Sequence, residues 1–595
     1  MSDTEMFYDI RGNIVRKEQY LPKETITTRY EYDSSSNLIQ QVNGVGTPEQ
    51  ITTTFIYNSF GELAKTEYTD GTSKHHSYDA IGRLSNEWSN NKSVHYSYKY
   101  NQQDLITEAE NCKTQKKTVR EYSAEGNLLS EHFENGLKIG YCYDRLNRVT
   151  ERIYPDGSSI KQIYNPIFIS KTERLKNDAV VYNASFENFD LSGKPEKVVF
   201  PKKSGALSIK YDKLSRPKRL TSHHYKEKDI LYDSRGLLTS KIVNDDLQTF
   251  EHDHLQQLTL EKTSEYSHTY ENDALNRQIS VDGRIQIHNA VHQLTHGVHS
   301  KYFFDTKGRR ISDSSKVFTY NKFDHLIKIH QGDLTWSYTY DAFHRKMSRT
   351  FGEKTVYYLY EGHEEIGSYD NEFNNLDLKV LSAGEGSIPI AIELGSQNYS
   401  PLLSSQGHIV GLVEMQTGKL ADRSYLTMFG EDLASNPLSP WRFCGKRHET
   451  SELGLIDFGF RFYHPKSAQW LTQDPIGETD GPNLYAYVRN SPTCYIDRHG
   501  LFMDGVDFST SWSNLKKNWS WAESQVMNYS WMDKQLDNQV VNFGDGCASF
   551  LSEQGDTLGS LALDCTPVVG SIKSACEVVL GTALKNISMN LALQL

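Results

Sequence analysis

Short runs along the chain alternate apolar and polar residues, as in Thr52–Tyr57, Lys74–Tyr78 and Ser93–Tyr98. A period of two sends successive side chains to opposite faces, which predicts half-buried strands. The breaks between runs carry turn chemistry: Asp70-Gly71, Asp156-Gly157 and Asp282-Gly283 suit tight hairpins because Gly accepts positive φ. A longer phrase punctuates the pattern. It reads Tyr or Phe, Asp or Asn, two or three residues, often Gly or Asn, then often Arg. Copies are YDIRGN from Tyr8, YNSFGE from Tyr57, YDAIGR from Tyr78, YDRLNR from Tyr143, YDKLSR from Tyr211 and YDAFHR from Tyr340. Successive starts from Tyr57 to Tyr164 differ by 21, 22, 22, 21 and 21 residues. Chance does not keep that spacing. Between Tyr232 and Phe304 the phrase weakens, for example to ENDALNR at 271–277.

Each phrase predicts a strand end and a turn. The aromatic is the last inward residue of the strand, the Asp caps the turn backbone, and the Gly takes positive φ. The Arg that follows is either paired or stacked on an aromatic, or simply solvated. One such unit cannot bury a core alone, so neighbours must stack. The predicted fold is mainly β, with hairpins stacked into a long ribbon that curls into a hollow shell.

Composition supports strands. Of 595 residues, 36 are Tyr and only 16 are Pro, and aromatic residues favour sheets. The net charge of −12 makes nucleic acid an unlikely partner, because polyanion binding needs basic surface. Seven cysteines at 112, 142, 444, 494, 547, 565 and 576 lack the close spacing of a zinc site. They are expected to be free thiols, mostly buried. His363-Glu364-Glu365 and His448-Glu449 lack a second His at zinc-protease spacing, and Gly44-Val45-Gly46 is a turn rather than a dinucleotide loop. No cofactor or metal is expected. The start MSDTEMFYDI carries no signal-peptide core, and no transmembrane helix is expected. Export would use a route not written there, with the chain cytoplasmic beforehand and secreted or surface-bound afterwards.

Composition changes after residue 501. The stretch 502–595 holds one Tyr, no Arg, four of the eight Trp, and five Lys against ten Asp and Glu. Ile572, Ala575, Cys576 and Val579 share one helical face, so a small, mainly α tail is predicted.

The Tyr-Asp phrases resemble the YD repeats of the RHS family of polymorphic toxins and toxin-complex C subunits. Residues 440–501 resemble the RHS repeat-associated core, through Arg461-Phe-Tyr-His-Pro465, Asp474-Pro-Ile-Gly477, Asn483-Leu-Tyr-Ala-Tyr487, Asn490-Ser-Pro492 and Asp497-Arg-His-Gly-Leu501. The resemblance implies a shell over 1–439, a plug and autoprotease over 440–501, and a variable tail over 502–595 enclosed by the shell. It implies Asp474, Asp497 and Arg461 as catalytic residues and Leu501–Phe502 as the bond cut, once, by an aspartyl self-cleaving peptidase. DCTPVVGSIKSACEVVLG, 564–581, resembles a pre-toxin segment. Nothing in the tail assigns an activity. Two departures stand out: Arg498 where the family has Pro, and Asp480-Gly481-Pro482 where it has Gly-Gly before Asn.

The chemistry fits the residue types. Peptide hydrolysis by carboxyls needs one ionised and one neutral, and two held close cannot both ionise cheaply. Arg461 would orient one carboxylate. The plainer reading is that both Asp residues cap turns. The other function to weigh is a non-catalytic surface protein whose strand aromatics bind glycan or protein. Implied partners of the carrier are its own tail, a secretion-system or toxin-complex partner that closes a short shell, and an immunity protein.

Overall fold

The computed structural model describes residues 4–505 apart from 23, 191–192, 385 and 435. These residues are mainly antiparallel β. A first sheet of 27 strands runs from Thr4 to Ile285 and a second of 13 strands from Phe303 to Arg423, each pairing neighbours in chain order. The ribbon curls into a shell in which the turn ends of the second sheet meet one face of the first. The predicted helical tail lies outside the described residues, as do Cys547, Cys565 and Cys576.

The repeat phrase explains the stacking. Strands end on its aromatic: Leu63–Tyr68 turns into Ser73–Tyr78, and Lys138–Tyr143, Ser159–Tyr164 and Leu334–Tyr340 end in the same way. A register shift precedes the aromatic in these strands. The phrase Tyr is half-buried rather than fully inward in most units, because its hydroxyl donates to a carbonyl of the preceding hairpin. Tyr78 reaches Leu63 at 2.9 Å, Tyr100 reaches Leu84 at 2.8 Å and Tyr143 reaches Leu128 at 2.8 Å. The Asp turn is equally regular. Asp79 Oδ1 accepts the amides of Ile81 and Arg83, while Arg83 Nε donates to Oδ2 at 2.7 Å. Arg83 then stacks on Tyr100 of the next unit, 4.5 Å from its ring centre. Arg148 over Tyr164 and Arg216 over Tyr232 repeat this. The repeated Arg is thus both paired and stacked.

Two expectations are corrected, a strand boundary and the burial of the cysteines, and the weakened phrases prove regular in structure. The strand read as Ser93–Tyr98 is His95–Tyr100, because Ser93 and Val94 belong to the turn closed by Ser89. The weakened phrases still fold: Asp253, Asp273 and Asn289 bind the amides two and four residues on. The side-chain oxygen makes the turn, and Gln256, Asn276 and His292 take the positive φ in place of Gly. The four cysteines within the described residues are free but not mostly buried: Cys142 is exposed and Cys112, Cys444 and Cys494 are half-buried.

Residues 440–505 are short strands and 3-10 turns packed against both sheets. Trp441, Phe443, Phe458, Tyr463, Trp470 and Tyr487 are buried there. Ionic contacts tie the segment to the second sheet. Lys346 lies between Glu449 at 2.5 Å and Asp457 at 2.7 Å. Arg447 joins Glu365 at 2.9 Å and Asp377 at 2.6 Å. Toward the first sheet, Asn483 donates to the Asn276 carbonyl and Ser491 to that of Gln256.

Candidate active site

Arg461 follows the turn between the short strands Ile456–Asp457 and Phe462–His464. Asp457 Oδ1 accepts the Gly459 amide in this turn, and its other oxygen is on Lys346, so the loop is anchored from the second sheet. Arg461 is buried over the face of Trp470, 4.3 Å from the ring centre. Its Nη2 lies 2.8 Å from Asp474 Oδ2 and 3.6 Å from Asp497 Oδ2. Its Nε donates to the Gly500 carbonyl at 2.6 Å. One guanidinium therefore joins both carboxyls and the chain next to Leu501.

Asp497 ends the strand Tyr495–Asp497, which pairs with Met503–Gly505. The Leu501–Phe502 bond lies in the loop of this hairpin, and both residues are buried. Asp497 Oδ1 accepts the amides of His499 at 2.9 Å, Gly500 at 2.6 Å and Leu501 at 3.2 Å. These three donors do not include residue 498, so the clasp forms with Arg498 in place of Pro. Gly500 is required by φ +78 and by space, since a Cβ there would lie 3.1 Å from the Arg461 nitrogen. Burial raises the Asp497 pKa above the usual carboxyl range, against the opposing pull of Arg461 and the three amides. His499 is held neutral by burial, its pKa pushed down to about 3.

Asp474 opens its own turn, accepting the Ile476 amide at 3.1 Å on Oδ1, which leaves Oδ2 to Arg461. A cavity of about 10 Å³ is lined by Arg461, Asp474, Asp497, Trp470 and Met503 among others; that is room for one water. The structure thus brings together Arg461, Asp474, Asp497 and the 501–502 loop. Trp470 and Gly500 complete the geometry and were not singled out by sequence. Gly500 was visible as the last residue of Asp-x-x-Gly, but its reason, close approach to Arg461, was not. His448 Nε2 accepts the Phe443 amide and His363 stacks on Phe460. Among the described residues no group of three His, Cys, Asp or Glu is arranged to hold a metal.

The Teneurin YD-shell family model matches residues 1–184. Toxin subunit YenC1 of Yersinia entomophaga is 23% identical over 518 residues, 76% of this chain and 48% of that protein. Toxin subunit YenC2 of the same organism is 41% identical over 71 residues, 12% of this chain and 7% of that protein. The crystal structure of TcdB2-TccC3-Cdc42 matches with a TM-score of 0.66 at 16% identity, over 84% of this chain and 31% of that one. The chain spans less than half the length of these proteins, and 10% of the tRNA nuclease WapA of Bacillus subtilis, which it also resembles.

Proposed function

We propose that this chain, which belongs to the RHS/YD-repeat toxin family, is a toxin carrier that encloses its tail and frees it by one self-cleavage after Leu501. The observation that carries this is the shared Arg461 Nη2, 2.8 Å from Asp474 and 3.6 Å from Asp497, beside the one-water cavity and the 501–502 loop. In this reading the ion-paired Asp474 is the base. It takes a proton from the water as that water adds to the Leu501 carbonyl carbon. Asp497, the carboxyl whose pKa burial raises, gives its proton to the Phe502 nitrogen as the C–N bond breaks. The products are a carboxylate at Leu501 and an amine at Phe502. Arg461 holds the base and the Gly500 carbonyl in register.

The released tail, 502–595, would stay by enclosure until the shell opens. A toxin-complex partner, as TcdB2 is found with TccC3, would complete the enclosure. Export and protection of the producer by an immunity protein belong to the same reading. The test is a denaturing gel with mass spectrometry of purified full-length protein. The expected result is a fragment beginning at Phe502 that co-purifies natively and separates in denaturant. A single intact wild-type chain would reject the carrier-protease reading and favour a non-catalytic binding shell.

A further inference from the structure

The repeat turn presents a side chain at one fixed position, two residues after the turn Asp or Asn, whose amide donates to that carboxyl or amide oxygen. Distances of 2.9 Å for Phe60, 3.0 Å for Ile81, 2.8 Å for Leu214, 2.9 Å for Phe323 and 2.9 Å for Phe343 show that the presentation is the same in both sheets. Its surroundings are not. Phe60, Ile81, Ile167 and Leu214 are 87%, 69%, 55% and 72% exposed, whereas Val291, Phe323 and Phe343 are 5%, 5% and 1% exposed.

The covered tips show what this position docks on. Val291 Cγ1 fills the space over Gly44. Lys307, the same position one unit on, lies 3.9 Å from the Tyr68 ring centre. Phe323 meets Tyr96 edge-on at 5.7 Å with the Lys74 ammonium 5.2 Å from its centre. Phe343 lies under the Arg120 guanidinium at 4.0 Å. From Gly44 to Arg120 the receiving residues advance along the first sheet as the tips advance along the chain. For Lys307, Phe323 and Phe343 the tip meets aromatic rings or cations, and the contact works through burial and cation–π attraction.

We infer that the exposed tips Phe60, Ile81, Leu146, Ile167, Leu214 and Leu255 form a docking rim for the antiparallel sheet of another chain, one whose strand face carries Lys or Arg beside Tyr. This rests on reading the chain as one part of a larger shell, and it names the contact by which the partner attaches. The rim continues the covered row, with the same turn and the same position. The two other occupants fit less well. A second copy has its receiving face, from Gly44 to Arg120, already filled by its own tips. The 502–595 tail has five Lys and four Trp but one Tyr and no Arg, so it lacks the repeated pairing of a cation with Tyr.

The experiment places a photo-crosslinking residue at Ile81 and at Leu214 of the full chain, in the cells that make it, and sequences the joined peptide. Controls at Leu129 and Ile163 sit on strands. The expected result is a crosslink from both tips, not the controls, to a strand peptide of a different chain bearing Lys or Arg near Tyr. Phe60→Asp with Ile167→Asp, both exposed, should lower the crosslink yield at least tenfold with no change in Tm. Crosslinks to a second copy, to 502–595, or to nothing would overturn the inference. The same crosslink is read in the Asp497→Asn chain, so failure of the cut and failure of docking remain distinguishable.

Discussion

The repeat sheets and the segment 440–505 use the same residue types in opposite ways. In the repeats an Arg pairs with an Asp four residues before it and stacks on the Tyr of the next unit, as Arg148 does with Asp144 and Tyr164. Most of these pairs are partly exposed and have copies along the ribbon, while Arg345 with Asp341 is buried and reaches Glu131 as well. In the core segment the charged pairs are buried and their partners are far off in sequence: Lys346 with Glu449, Arg447 with Asp377, Arg461 with Asp474. A local turn pair with copies along the ribbon can be lost singly. A long-range buried pair cannot, since removing one partner strands the other in low dielectric, and Arg152–Glu361 and Arg174–Glu393 between the sheets share that property with the pairs of the core segment. That difference also separates scaffold from chemistry, because buried paired carboxyls are what hydrolysis needs and exposed turn caps are not.

The largest effect should come from the site itself. Asp474→Asn and Asp497→Asn each keep the shape and remove a proton site, and the cut should slow by about 10²–10⁴, read as precursor persisting on a gel time course. A normal rate in both would return these residues to the role of turn caps. Next, Arg447→Met leaves Glu365 and Asp377 buried without their cation, and should cost about 3–5 kcal/mol. Arg83→Met on the rim should cost about 1 kcal/mol or less. Urea unfolding of the two variants measures the contrast, and equal losses would erase it.

A pH effect should follow from Glu134. Burial, aided by nearby Asp341, pushes its pKa from 4.5 up to about 8, and Oε2 has no hydrogen-bond partner among the described residues. A raised carboxyl pKa means that the folded state binds the proton more tightly than the unfolded state. Its contribution is complete below pH 4.5 and is lost as pH rises through about 8. Glu134→Gln should flatten the decline of Tm across that window, and an unchanged decline would clear Glu134 of the cause. The smallest effect is Tyr143→Phe, which removes one hydroxyl bond to Leu128 and should cost about 0.5–1.5 kcal/mol by the same urea measurement.

What the chain decides by itself is whatever closes within a unit. Alternation places the strands, the phrase aromatic ends them, and an Asx oxygen with a positive-φ residue makes each turn, even at 253, 273 and 289 where the phrase had faded. Those interactions span four residues or one hairpin, so a linear reading reaches them. The resemblance to the RHS core singled out Arg461, Asp474 and Asp497, with Arg461 to orient one carboxylate, but not the contacts that hold Arg461 itself. Arg461 over Trp470 and its bond to the Gly500 carbonyl depend on the packing of turns within 440–505, and Lys346 between Glu449 and Asp457 on that segment meeting the second sheet. Which turn tips are covered is decided at the same stage: Ile81 and Phe343 occupy the same repeat position, and only the second has a sheet lying over it. Local sequence specifies a hydrogen-bonded turn, because its partners are a fixed few bonds away. Burial of a charge or a ring is specified by distant chain, and so belongs to the tertiary structure.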